Sequence, residues 1–79
     1  MTLQAFRPDT YSPIHLTQRE TQVLYLMAKE KCANEIATEL SIGEATVRSH
    51  RKNIYIKLDV SKSAGAVRKG FEYGYLRFA

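Results

Sequence analysis

Apolar residues recur at helical spacing in four segments of this 79-residue chain. The first helix is predicted to begin at Thr17, which is followed three residues later by Glu20 and so forms a capping box. The predicted helices span 17–29, 32–40, 43–58 and a fourth segment from Ser61 or Ser63 to about Tyr73. No strand-like alternation, repeat or low-complexity run is visible. The pattern therefore predicts an all-α fold of four short helices without strands.

The third predicted helix, residues 43–58, has two different faces. Its apolar stripe consists of Val47, Ile54 and Leu58, at helical spacing. Another side, at i, i+3, i+4 and i+7, carries Ala45, Arg48, Ser49 and Lys52. A short helix, a tight turn containing Gly43 and a longer amphipathic helix are typical of a helix-turn-helix. The second helix of such a unit enters the major groove of DNA, which would give the cationic face a role.

The positive charge is concentrated in the second half of the chain. Residues 1–42 hold four Lys and Arg against five acidic residues, whereas residues 43–79 hold eight against three. This asymmetry favours a polyanionic partner. The single cysteine, Cys32, excludes an intrachain disulfide framework and suits a reducing compartment. With no apolar run of transmembrane length, we expect a cytoplasmic protein that does not engage the membrane.

Three motifs, in matching order and at matching distances, resemble the LuxR/GerE-type DNA-binding domain. They are Leu16-Thr17-x-Arg19-Glu20-x-x-Val23-Leu24, Glu35-Ile36-Ala37-x-x-Leu40 and Thr46-Val47-Arg48-x-His50-x-x-Asn53-Ile54-x-x-Lys57-Leu58-x-Val60. The resemblance implies a winged-helix-like domain of four helices, with the third as recognition helix and the fourth contributing to dimerisation. The start at Met1, without room for a receiver domain, favours the stand-alone GerE-like form, with a fragment of a larger regulator as the alternative.

Within this frame we expect an N-terminal arm at residues 1–15 and the DNA-binding domain at residues 16–76. Leu3, Phe6 and Ile14 of the arm are expected to rest on the core. The chain departs from the family pattern at Glu30, where a glycine is common between the first two helices, and at Gly43, where a serine commonly caps the recognition helix.

Candidate site residues follow from the faces of the helices together with the resemblance. Arg48, Ser49 and Lys52 are predicted to read bases, because Arg and Lys donate to guanine O6 and N7. The predicted contacts to the DNA backbone are Thr46, Arg51, Lys57 and Lys62. The predicted dimer contacts are Arg68, Phe71, Glu72 and Tyr75, since aromatic residues crowd into the last nine positions. His50 is expected to be a packed structural residue rather than a ligand or switch.

Catalysis has little support in the sequence. His15, His50 and Cys32 are separated from one another, and neither a phosphate-binding glycine loop nor metal-ligand spacing is visible. We therefore expect no enzymatic activity, cofactor or metal, and treat redox sensing by Cys32 as a minor alternative.

The sequence predicts a homodimeric bacterial transcriptional regulator that binds double-stranded DNA through residues 43–58. RNA polymerase or another regulator is a further candidate partner. Two alternatives stay open. One is a protein-interaction adaptor or anti-activator that pairs with a larger regulator through the same fold, and the other is a polymerase-associated module similar to the C-terminal region of sigma factors.

Overall fold

The computed structural model describes residues 1–6 and 14–79, and four helices dominate it. They are α1 (Gln18–Ala28), α2 (Ala33–Leu40), α3 (Glu44–Leu58) and α4 (Ser63–Glu72). The four predicted helices are thereby confirmed, with ends that differ by one or two residues. Part of the predicted arm, residues 7–13, lies outside the described residues.

Local hydrogen bonds explain where α1 and α2 begin. The Thr17 hydroxyl accepts from the Glu20 amide at 3.1 Å, and the Glu20 carboxylate accepts from the Thr17 amide at 2.9 Å, so the predicted capping box is present. At α2 the Glu35 carboxylate accepts from the amide of Cys32 at 2.9 Å. Helix α4 begins at Ser63, one of its two predicted starts, and its N-cap is Lys62.

The core lies where α1, α2 and α3 meet, with α4 closing one side. Its fully buried side chains include Val23 and Leu24 of α1, Ile36 of α2, and Ile54 of α3. Gly70 lets α4 approach closely, because a Cβ there would lie 2.9 Å from side-chain carbons of Leu24 and Leu76. The apolar stripe predicted for the third helix, Val47, Ile54 and Leu58, is confirmed as buried.

Two short strands join the ends of the chain, so the expectation of a strandless fold is wrong. Strand β1 (Leu3–Ala5) pairs antiparallel with β2 (Leu76–Phe78), with Gln4 opposite Arg77. Three-residue strands are too short to show alternation, and their pairing is set by contacts more than seventy positions apart in the sequence. Leu3 and Ile14 pack against the core as expected, while Phe6 lies under the Arg77 guanidinium at 3.4 Å.

Tyr75 is buried inside the chain, which corrects its predicted role as a dimer contact. Its side chain is 3% exposed. Its hydroxyl donates to the carbonyl of Ile14 at 2.5 Å and accepts from the amide of Leu16 at 3.0 Å. Tyr75 therefore fastens the segment before α1 to the C-terminal strand.

A buried carboxylate connects α1 to α3. Glu20 is 3% exposed, and besides capping α1 it accepts from the Lys57 ammonium at 2.7 Å. Burial alone would raise the pKa of Glu20, but the hydrogen bonds from Lys57 and Thr17 and the Lys57 charge outweigh it, so the pKa is lowered from the ordinary 4.5. The ionised form is therefore bound more favourably in the folded protein than in the unfolded chain.

We expect Glu20→Ala to lower the free energy of unfolding at neutral pH by about 2 kcal/mol, because it removes a cap and leaves Lys57 without its acceptor. Because the pKa of Glu20 is lowered on folding, its carboxylate stabilises the folded protein fully at any pH above 4.5, its pKa in the unfolded chain. This stabilisation is lost as the pH falls through the lower pKa that Glu20 has in the folded protein. Urea denaturation at neutral and acidic pH measures both effects. Glu39→Ala, at an exposed carboxylate of α2, is the matched control. Equal unfolding midpoints for the two variants at neutral pH would contradict this account.

Candidate nucleic-acid interface

Helix α3 buries one side and presents the other to solvent. Val47, Ile54 and Leu58 are buried against the other helices. The opposite side is exposed, as the sequence predicted, and we call this surface the reading face. It consists of Ala45, Arg48, Ser49 and Lys52.

The turn before α3 sets the direction of the reading face. Helix α2 ends at Ser41, which adopts a left-handed backbone conformation with φ 56°, and Gly43 is the N-cap of α3. The left-handed residue of the turn is thus Ser41, whereas the backbone of Gly43 is extended. From there α3 runs for fifteen residues, about 22 Å at the usual helical rise. A helix of these dimensions fits a major groove about 12 Å wide.

Arg48 does not extend alone into solvent. Its guanidinium Nη2 donates to Glu44 Oε1 at 2.6 Å, one turn earlier on α3. Both side chains remain open, with 60% and 44% exposure. Glu44 is the one acidic residue of α3, and sequence reasoning did not assign it to the site. Its position four residues before Arg48 was the available signal.

The side chains predicted to contact the DNA backbone separate into two groups. Thr46 and Lys62 are exposed, and Arg51 is half-buried. Lys57 is different, because its ammonium is bound to the buried Glu20 and its side chain is 35% exposed. The backbone contact of Lys57 stays a prediction, and the structure shows its ammonium paired with Glu20, where it helps to hold α3 in place.

A hollow of about 290 Å³ surrounds Arg51. Lys31, Cys32 and Ser63 also line it, so the first turns of α2 and α4 meet there, and Glu30 adds a carboxylate. Sequence reasoning missed Lys31, which becomes a neighbour of this site only through the packing of α1 against α3. The hollow therefore combines two cationic side chains with one carboxylate.

The remaining chemical groups give no sign of another site in the described ranges 1–6 and 14–79. Cys32 has a free, exposed thiol near the side chains of Asn34 and Glu35. His50 is half-buried at the edge of α3. Within those ranges no group of three His, Cys, Asp or Glu side chains could hold a metal ion. None of the helices described there has the length and apolar composition of a membrane-spanning segment.

The outer side of α4 carries three of the four predicted dimer contacts. Arg68 and Glu72 are 3.6 Å apart and exposed. Phe71 is half-buried, and its ring stacks on Phe78 of β2 at 5.4 Å between centroids. Phe78 is 53% exposed, so this aromatic pair forms an apolar surface beside charged residues.

These features define a helix-turn-helix protein with an exposed, cationic second helix. A family model described as "Bacterial regulatory proteins, luxR family" matches residues 15–69. The chain therefore belongs to the luxR family of bacterial regulatory proteins, and the predicted resemblance is confirmed.

Individual relatives differ in how much of their length the chain covers. It is 43% identical over 61 residues to the spore germination protein GerE of Bacillus subtilis, and the matched region covers 77% of this chain and 82% of GerE. It is 41% identical over 70 residues to the Bacillus subtilis transcriptional regulatory protein DesR, covering 87% of this chain and 35% of DesR. It is 39% identical over 59 residues to the transcriptional regulatory protein MctR of Rhizobium johnstonii. This match covers 75% of this chain but only 28% of MctR.

A solved structure shows the same fold. The response regulator ChrA of a heme-sensing two-component system superposes with a TM-score of 0.70 at 32% sequence identity. The match covers 72% of this chain and 28% of that chain. The four-helix arrangement is therefore shared with the corresponding part of a response regulator.

Proposed function

We propose that this chain binds duplex DNA sequence-specifically and regulates transcription, with α3 lying in the major groove. The observation that carries the proposal is the reading face, an exposed cationic surface on the second helix of a helix-turn-helix. The excess positive charge of residues 43–79 supports it. So do family membership and the relatives that are named as transcriptional regulators.

The exposed residues of the reading face are suited to recognise bases. In this proposal Arg48 donates to guanine O6 and N7, and Lys52 reaches the same type of acceptor one turn later. Ser49, between them, is small enough to let the helix approach the bases closely and can donate or accept.

Thr46, Arg51 and Lys62 are proposed to contact phosphates on either side of the groove. Such contacts fix the register of the protein without reading sequence. Lys57 is left out because Glu20 already binds it. A cytoplasmic location is part of the proposal, since the DNA of a bacterium lies there.

Affinity for duplex DNA is expected to fall steeply with rising salt, because each phosphate contact by Lys or Arg releases condensed counterions. The logarithm of the binding constant should decrease linearly with the logarithm of salt concentration, with a slope of about −0.9 for each contact. Binding to a duplex selected from random sequences, measured across a salt series, tests this. A binding constant that does not change with salt concentration would contradict DNA binding and favour the protein-interaction adaptor.

Arg48→Ala is expected to cost about 1–3 kcal/mol on the selected site and to relax the preference at one base pair. Arg51→Ala, which removes the same charge from the same helix, should weaken binding to all sequences alike and make the salt slope shallower by about one unit. Repeating the selection with both variants separates the two roles. An unchanged motif for Arg48→Ala would show that base reading is wrongly assigned.

We also propose that the chain acts as a homodimer through α4. Arg68, Phe71 and Glu72 would contribute, together with Phe78, which stacks on Phe71. Aromatic residues bury large areas at small entropic cost, which favours them at interfaces. An isologous contact would place two α3 helices about one DNA turn apart and match half-sites about 10 bp apart.

The double variant Phe71→Ala, Phe78→Ala is expected to remain helical but to lose dimerisation and cooperative binding, because it removes the apolar part of this surface. Sedimentation and gel-shift experiments measure the two properties. Ile56→Ala, which removes an exposed apolar side chain from α3 rather than α4, is the control for sedimentation. A monomeric wild-type protein that binds a single half-site with undiminished affinity would rule the dimer out.

A further inference from the structure

Glu44 places a carboxylate on a surface proposed to meet a polyanion. It lies in the first turn of α3 and is exposed, and its Oε1 accepts from Arg48 Nη2 at 2.6 Å. Glu44, Arg48 and Lys52 occupy successive turns, so the carboxylate lies in one row with two of the proposed base readers.

Glu44 has a larger effect on DNA binding than on the stability of the helix. An exposed pair of this spacing, with the acid near the helix N-terminus, contributes little to folding stability. On the DNA-binding surface the same carboxylate acts more strongly. It repels phosphates of any sequence, and the donors with which it can form a hydrogen bond in the major groove are the amino groups of cytosine and adenine.

The pairing also restricts Arg48. A guanidinium carries five N–H donors, so the group that donates to Glu44 through Nη2 retains donors for the paired acceptors of guanine. A contact from Arg48 to a phosphate would require the guanidinium to leave Glu44 or bring the phosphate beside a carboxylate. The pair therefore directs Arg48 towards bases and away from the backbone.

We propose that Glu44 is a specificity-determining residue of the DNA site: its carboxylate positions Arg48 for guanine, accepts from the amino group of a neighbouring cytosine, and weakens binding to non-cognate DNA. This inference rests on the proposed DNA binding. Cytosine N4 is the amino donor that acidic side chains pair with in the major groove.

Glu44→Gln tests the proposal, with Glu39→Gln as matched control. Both changes remove one negative charge from an exposed glutamate, but Glu39 lies on α2. For Glu44→Gln we expect tighter binding to random-sequence duplex and a roughly tenfold smaller ratio of selected-site to random-site affinity. Selection from random duplexes should also show a weaker cytosine preference at one position, because the neutral amide oxygen of glutamine is a weaker acceptor than a carboxylate. Glu39→Gln should leave both the ratio and the motif unchanged, because it alters the net charge alone.

A double-mutant cycle shows whether Glu44 acts through Arg48. The fold-loss in the affinity ratio for the double variant Glu44→Gln, Arg48→Ala should be smaller than the product of the two single losses, because both changes break the same pair. Independent, multiplying effects would overturn the positioning role. Equal urea unfolding midpoints for Glu44→Gln and wild type establish that the change in DNA affinity is not caused by a change in folding stability.

The two proposals fail in different ways. If wild type binds duplex DNA without salt dependence or sequence preference, the proposed function fails. If wild type selects a motif and Glu44→Gln selects the same motif with the same affinity ratio, DNA binding stands and the role of Glu44 is overturned.

Discussion

The carboxylate of Glu20 joins the start of α1 to the C-terminal half of α3. Removing a carboxylate from water is unfavourable, and here that cost is offset by the Thr17 amide and the Lys57 ammonium, both within 2.9 Å of the same oxygen. A recognition helix can present its side chains reproducibly only if its rotation about its own axis is fixed. The apolar stripe of α3 supplies most of that restraint, and the Glu20–Lys57 pair adds a directional contact near the end far from Glu44.

The angles between helices depend on left-handed backbone at their junctions. Among the described residues, Glu30, Ser41 and Asp59 have φ between 55° and 61° without being glycine. Each follows or ends a helix and reverses the chain within a few residues. Glu30 occupies the junction where the family resemblance leads one to expect glycine, and its φ of 61° gives the reason, since glycine adopts this conformation without the steric cost that a Cβ brings.

The helices could be predicted because their signals are local. The spacing of Val47, Ile54 and Leu58, and the capping box at Thr17, are contained within each helix and its cap. The strands could not be predicted, since Leu3–Ala5 and Leu76–Phe78 become strands only by pairing with each other.

The candidate site also contains residues whose placement follows from local sequence and residues whose placement depends on distant partners. The exposure of Arg48, Ser49 and Lys52 follows from their positions on one helix. The functions of Lys57 and Tyr75 depend on partners 37 and about 60 positions away, Glu20 and the segment Ile14–Leu16. Chemical type alone suggested a phosphate contact for one and an interface for the other. Packing buries Tyr75 and pairs the half-buried Lys57 with Glu20.

The C-terminal aromatic residues show how packing limits the surface that a partner could use. Tyr75 is buried, and Tyr73 lies half-buried under the Lys69 ammonium. Of the four aromatic residues near the end of the chain, Phe71 and Phe78 remain as a stacked, partly exposed pair. Because β2 pairs with the N-terminal strand, Phe78 is held in a sheet rather than on a loose terminus, and Phe71 is held by α4. An interface built there would therefore need little ordering of side chains and loops, which is one of the costs of association.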